Sequence, residues 1–162
     1  FKSDNPNVFE LYDAAGKLNQ RAYVEEAGFA ATANMFVMRD VFERAGGFDD
    51  TIMSGGDFDF GRRAKAAGAG IVFLEGAVVR HPARATLREI VRKSARIARG
   101  ERDLAQTGRL AHAPITWRSF LPRLRFRADN ELHAHLSPAR KVGLVLLMNM
   151  CRYINLWIRI VG

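Results

Sequence analysis

Apolar positions along this chain fall into short runs and helical spacings, punctuated by glycine and proline. The first twenty residues are polar with turn signals ("SDNPN", "AAGKLN") and predict loop with a short helix. "NMFVM", Asn34 to Met38, is an apolar run of strand length. Asp40 is placed to cap "VFERAGGF", in which Val41, Phe42 and Ala45 share one face and Gly46-Gly47 closes the turn. Phe48 to Ser54 reads as loop. A helix then starts at or beside Asp57 and ends at Gly68. "IVFLEGAVV" predicts two short buried strands about Gly76.

After "RHP" the pattern becomes helical, from Ala85 to about Gly100. Arg84, Arg88, Arg92, Arg96 and Arg99 form one stripe, with Leu87, Ile90 and Val91 on another side. Residues 103–136 are mixed, with Pro114, Pro122 and the cluster "RLRFR", and predict loop with short helices. Ser137-Pro138 opens a last helix with proline in its first position. Asn149, Arg152, Asn155 and Arg159 draw a narrow polar stripe on that otherwise apolar helix.

Composition sharpens this picture. The chain has 162 residues, 48% hydrophobic and 26% charged, enough for one globular domain or a large part of one. It opens on Phe1 with no readable targeting peptide, and a piece of a longer protein is expected. The net charge of +8 is uneven: residues 1–79 carry −4 and residues 80–162 carry +12. The basic half calls for an anionic partner: phosphates, nucleic acid or a membrane surface. The lone Cys151 excludes an internal disulfide framework, and its apolar surroundings predict a buried, inert thiol.

Chemistry concentrates in "SGGDFDFGRRAKAAG", Ser54 to Gly68. Glycines let backbone approach a ligand closely. A carboxylate in a first helical turn is stabilised by the dipole and free N–H groups, stays ionised and can accept a proton. Two readings of Asp57 and Asp59 follow: helix caps, or a catalytic carboxylate on a rigid helix start.

The stretch "TANMFVMRDVFERAGGFDDTIMSGGDFDFGRRAKAAGAGIVFLEGAVVRHPAR" resembles the second half of the catalytic domain of bacterial family 2 glycosyltransferases. The residues that carry the likeness are Asn34, Arg39, Phe42, Gly46-Gly47-Phe48-Asp49, Gly55-Gly56-Asp57, Arg63, Gly68, Ala77, Val79 and His81, in order and spacing. The resemblance implies an α/β chain, the C-terminal, acceptor-side half of a GT-A fold over residues 1–83. A basic helical and loop extension (84–136) and an amphipathic terminal helix (137–162) follow.

It implies inverting transfer from a nucleotide-sugar donor to a saccharide or lipid-linked acceptor, with Asp57 as general base. Gly56 stands where many relatives have Glu, which leaves Asp57 the single base candidate. His81 matches a position near the metal, Mg²⁺ or Mn²⁺, and the donor diphosphate; as an imidazole facing a hard cation it equally reads as a hydrogen-bonded strand-end histidine. Asn34, Gly55, Gly56, Asp59 and Arg63 fall on the substrate side. For Asn34 the alternative is bonding backbone, for Asp59 capping or orienting, for Arg63 pairing with a carboxylate or bracing the helix. Asp49 and Asp50 read as turn acids. The nucleotide-binding half with its metal-holding Asp-x-Asp is not in these residues, so the chain is not expected to turn over alone.

The terminal helix carries two arginines and two asparagines that are costly in a bilayer core, and reads as an interfacial helix; packing against another domain or a second copy is the alternative. The arginine stripe suits anionic head groups or a lipid-linked diphosphate. A cytoplasmic protein, peripheral at the inner face of the cell membrane, is the resulting expectation. A rival class is a non-catalytic basic module for nucleic acid or an anionic membrane. Against nucleic acid, the basic residues lack interleaved aromatics and no recognised motif is present.

Overall fold

The computed structural model describes residues 5–15, 18–126 and 136–161. The expected turn at residues 1–4, Gly16-Lys17 and the end of the basic cluster at Arg127 lie outside them. The chain divides into two compact units, one of Leu18–His81 and one joining Phe1–Lys17 to Pro82–Gly162. In chain order the helices are α1 (Val8–Ala15), α2 (Gln20–Glu25), α3 (Arg39–Arg44), α4 (Gly56–Ala66), α5 (Leu87–Gln106) and α6 (Pro138–Val161).

In the Leu18–His81 unit, Asn19 caps α2 by accepting from the Ala22 N–H at 3.2 Å. α3 begins two residues earlier than the sequence predicts: Met38 is the capping position, and Asp40 lies in the first turn, paired with Arg44 at 2.5 Å. The predicted apolar face is real. Ala45, Phe60 and Ala64 are buried together, with Met35, Val41, Phe42 and Ala69 packed around them. The rings of Phe42, Phe48 and Phe60 close this small core with centroids 4.9–5.6 Å apart.

The expected α/β fold, the C-terminal half of a GT-A domain, is not what forms. The described residues contain no strand. Asn34 ends a 3₁₀ turn (Thr32–Asn34), and the apolar runs 35–38 and 71–79 are irregular. The physical reason is the hydrogen-bond ladder. An apolar run of strand length becomes a strand only beside a partner that takes up its N–H and C=O groups. Neither run has one here. Their side chains are not buried either: Phe36 is 86% exposed and Val72 76%. What ties the two runs together is a side chain, the Asn34 amide donating to the Ala77 carbonyl at 2.7 Å.

The other unit is helical. α5 and α6 make its main contact and α1 packs on both. Leu11, Phe126, Leu136 and Leu144 are buried together, with Val8, Tyr12 and Met148 against them. A Cβ on Gly143 would lie 2.9 Å from Val8 Cγ2, so glycine is what lets α1 and α6 approach this closely. α5 starts with a reciprocal cap: Glu89 N–H donates to Thr86 Oγ1 at 3.3 Å, and Thr86 N–H donates to Glu89 Oε2 at 3.1 Å. Asp13, buried on α1, accepts from Lys93 Nζ at 2.6 Å and from the Arg84 N–H and guanidinium at 3.1 Å each. The first residue of the predicted arginine stripe is therefore engaged. Arg88, Arg92, Arg96 and Arg99 are exposed.

The polar stripe of α6 faces protein. Asn149 pairs with both the N–H and the C=O of Arg123 at 2.8 Å. Arg152 donates to the carbonyls of Leu121, at 2.8 Å, and Ser119. Asn155 donates to Glu101 at 3.0 Å and Arg159 to the Ala113 carbonyl at 2.7 Å. The segment 113–123 is thus strapped along α6 in the opposite direction. Cys151 is buried on this helix, as its sequence context predicts.

Candidate functional site

α4 begins where the two glycines allow it. Gly55 occupies the capping position at φ +89°, a conformation that a side chain would strain. Asp57 and Asp59 follow in the first turn. Two residues along a helix are separated by about 200° of rotation, so the two carboxylates leave α4 on opposite faces.

Their environments differ accordingly. Asp59 is only 1% exposed. Its Oδ2 accepts from Arg63 Nε, one turn on, at 2.8 Å. The same guanidinium donates to the Gly47 carbonyl at 2.7 Å and to the Ala45 carbonyl. Asp59 and Arg63 together clamp the start of α4 to the Gly46-Gly47 turn. Asp57 is half-buried; its Oδ1 accepts the Phe58 N–H at 2.9 Å, and no described cation pairs with it. Gly56 leaves room beside it, with only Ile52 Cγ2 at 4.0 Å from where a Cβ would stand.

Asn34 and His81 come together elsewhere in the unit. Both line a groove of about 270 Å³, with Gln20, Arg21, Glu75 and Val79. Asn34 also borders an apolar hollow of about 210 Å³ against Met35, Phe60 and Gly61. Its Oδ1 is buried and receives no hydrogen bond. Asp57 lines neither space. His81 is exposed. Among the described residues no three His, Cys, Asp or Glu side chains gather around a metal position, so these residues do not fit a divalent cation by themselves.

Three residues that build this unit carried no sequence signal of their own. Gln20 accepts the Ala31 N–H at 2.8 Å and donates to the Asn34 carbonyl at 2.8 Å, fixing the turn that presents Asn34. Arg21 pairs with Glu75 at 3.1 Å and lies over the Phe73 ring at 4.5 Å, holding 73–75 beside α2. Gly61, inside α4, backs onto Phe29: a Cβ there would lie 2.6 Å from Phe29 Cβ.

Comparison with known proteins adds a second line. The family model described as "Glycosyl transferase family group 2" matches residues 8–159. Over 92 residues, 57% of this chain, the sequence is 33% identical to "Glycosyltransferase AglE" of Haloferax volcanii. Those residues cover 30% of that protein's length. No solved structure matches.

Proposed function

The chain belongs to glycosyl transferase family group 2, and from that premise we propose that it carries the base for an inverting transfer, Asp57. Of the two acids in the first turn of α4, one is locked to Arg63 and the other is not; that division carries the reading. The acceptor hydroxyl gives its proton to the Asp57 carboxylate as its oxygen bonds to the anomeric carbon. The bond from that carbon to the nucleotide diphosphate breaks on the opposite face, and its electron pair leaves with the phosphate oxygen.

The acceptor is a saccharide or a lipid-linked saccharide. The donor nucleotide is bound by polypeptide beyond these 162 residues, a proposal in keeping with a chain that spans about 30% of the length of the relative it matches.

Kinetics of Asp57→Asn, in the polypeptide that also holds the donor-binding residues, test this. Turnover should fall on the order of 10²–10⁴-fold with an unchanged melting temperature. Wild-type turnover in the variant would remove Asp57 as the base.

A further inference from the structure

α6 is divided into sectors. At about 100° per residue, Val142, Leu146, Tyr153, Trp157 and Ile160 fall within an arc of about 60°, and all are exposed. Leu144, Leu147 and Cys151 are buried on the far side. The stripe from Asn149 to Arg159 lies between; Asn149, Arg152 and Arg159 are taken up by the strap 113–123 and Asn155 by Glu101 of α5.

The strap extends the outward apolar surface. Trp117, Phe120, Leu121 and Leu124 are exposed along it. Arg152 and Tyr153 of α6 hold the carbonyls of Ser119, Leu121 and Phe120, so the strap's apolar side chains adjoin the Tyr153 level of the helix. Both tryptophans of the chain stand on this surface, Trp117 at 68% and Trp157 at 64% exposure. A water-facing surface has no use for its two largest indoles. At a membrane–water boundary an amphipathic ring is at home.

Charge names the occupant. Residues 113–126 and 138–161 carry seven basic side chains and not one Asp or Glu. Arg118, Arg123 and Arg125 alternate with exposed apolar residues that include Trp117 and Phe120, so basic and aromatic side chains do interleave here, contrary to the sequence expectation. Basic heads on aliphatic stems beside apolar rings suit phosphate head groups over acyl chains.

We propose that the outward face of α6 and the Trp117–Leu124 strap form a docking surface for an anionic lipid bilayer, with α6 lying in the plane of the interface. By length and composition α6 is the described helix that could cross a membrane. Its Arg152 and Arg159, however, are bonded to strap carbonyls, and a crossing helix would carry the polar strap and its arginines into the hydrocarbon. Lying flat, the same contacts stay intact and only the apolar arc enters the lipid. The surface stands independently of the assignment of Asp57.

Tryptophan emission of the 162-residue chain is the direct probe, titrated with vesicles of equal parts phosphatidylglycerol and phosphatidylcholine. A blue shift, co-sedimentation and quenching by lipids brominated near the head group are expected, all weakened by salt. Leu146→Ser with Trp157→Ser should weaken partition by about tenfold or more, with helical circular dichroism retained because both side chains are exposed. No shift with these vesicles, or equal binding to phosphatidylcholine alone, overturns the proposal. So does quenching strongest from mid-chain bromines, which marks a span. A shift without vesicles that tracks a doubling of mass overturns it too, and makes the face a contact between two copies.

Discussion

Asp59 and Asp57 differ by two positions and by everything around them. Asp59 is buried, and its Arg63 partner spends its remaining donors on the carbonyls of Ala45 and Gly47. Removing that carboxylate leaves a half-buried guanidinium without its counter-charge and loosens the Gly46-Gly47 turn. Asp59→Ala should therefore cost the Leu18–His81 unit about 2 kcal/mol, read as a lowered denaturant midpoint. Asp57→Asn should leave that midpoint in place, since no ion pair is lost. The family resemblance ranks Asp57 over Asp59 as base, but the residues and their spacing alone do not. An i, i+2 spacing says only that they face apart, and burial decides which one is structural. Gly61 was illegible for a similar reason: a glycine inside a helix carries no sign of which residue backs onto it, here Phe29.

At the scale of elements, most helix starts are legible and the extended runs are not; α2 carries no sequence signal, and α5 runs on to Gln106 where the pattern ends it near Gly100. α4 starts at Gly-Gly followed by acids and ends near Gly68, and α6 starts at Ser137-Pro138, because helix punctuation is local chemistry. "NMFVM" and "IVFLEGAVV" have strand composition, but strand formation depends on a neighbour that composition does not contain. The polar stripe of α6 was visible; that it faces a strap of backbone carbonyls was not, since those partners lie 26 to 46 residues away. The cap of α5 was missed although Thr86 and Glu89 stand at the right spacing. Thr86→Ala removes the acceptor for the Glu89 N–H and should destabilise the helical unit by about 1 kcal/mol in chemical denaturation.

For the whole molecule, charge divides by unit: about −2 on Leu18–His81 and +10 on the remainder. Among the described residues of the basic unit Asp13 is the buried anion, and it fastens α1 to α5. Burial by itself would raise its carboxyl; the Lys93 hydrogen bond, the Arg84 N–H and the two cations outweigh that and hold it below its ordinary 3.8. A depressed folded value means the contribution is complete above that ordinary value and drains away as pH falls through the folded one. Melting temperature should thus decline with acid below about pH 4, and Asp13→Asn should flatten that decline while lowering stability at neutral pH. None of this was legible, because Asp13 meets its partners across 71 and 80 residues of chain.

The strap along α6 separates two kinds of information. Asn149, Arg152 and Arg159 grip it by peptide carbonyls, groups that every residue possesses. Apart from Thr116 and Ser119, whose side chains cap the turn at Trp117–Phe120, side-chain identity between Ala113 and Arg123 is therefore free to change with the surface it displays, while the number of residues between the grips is fixed. One mutation can retune the outer coat without touching the scaffold beneath, whereas a single inserted or deleted residue there would slip every grip downstream of it.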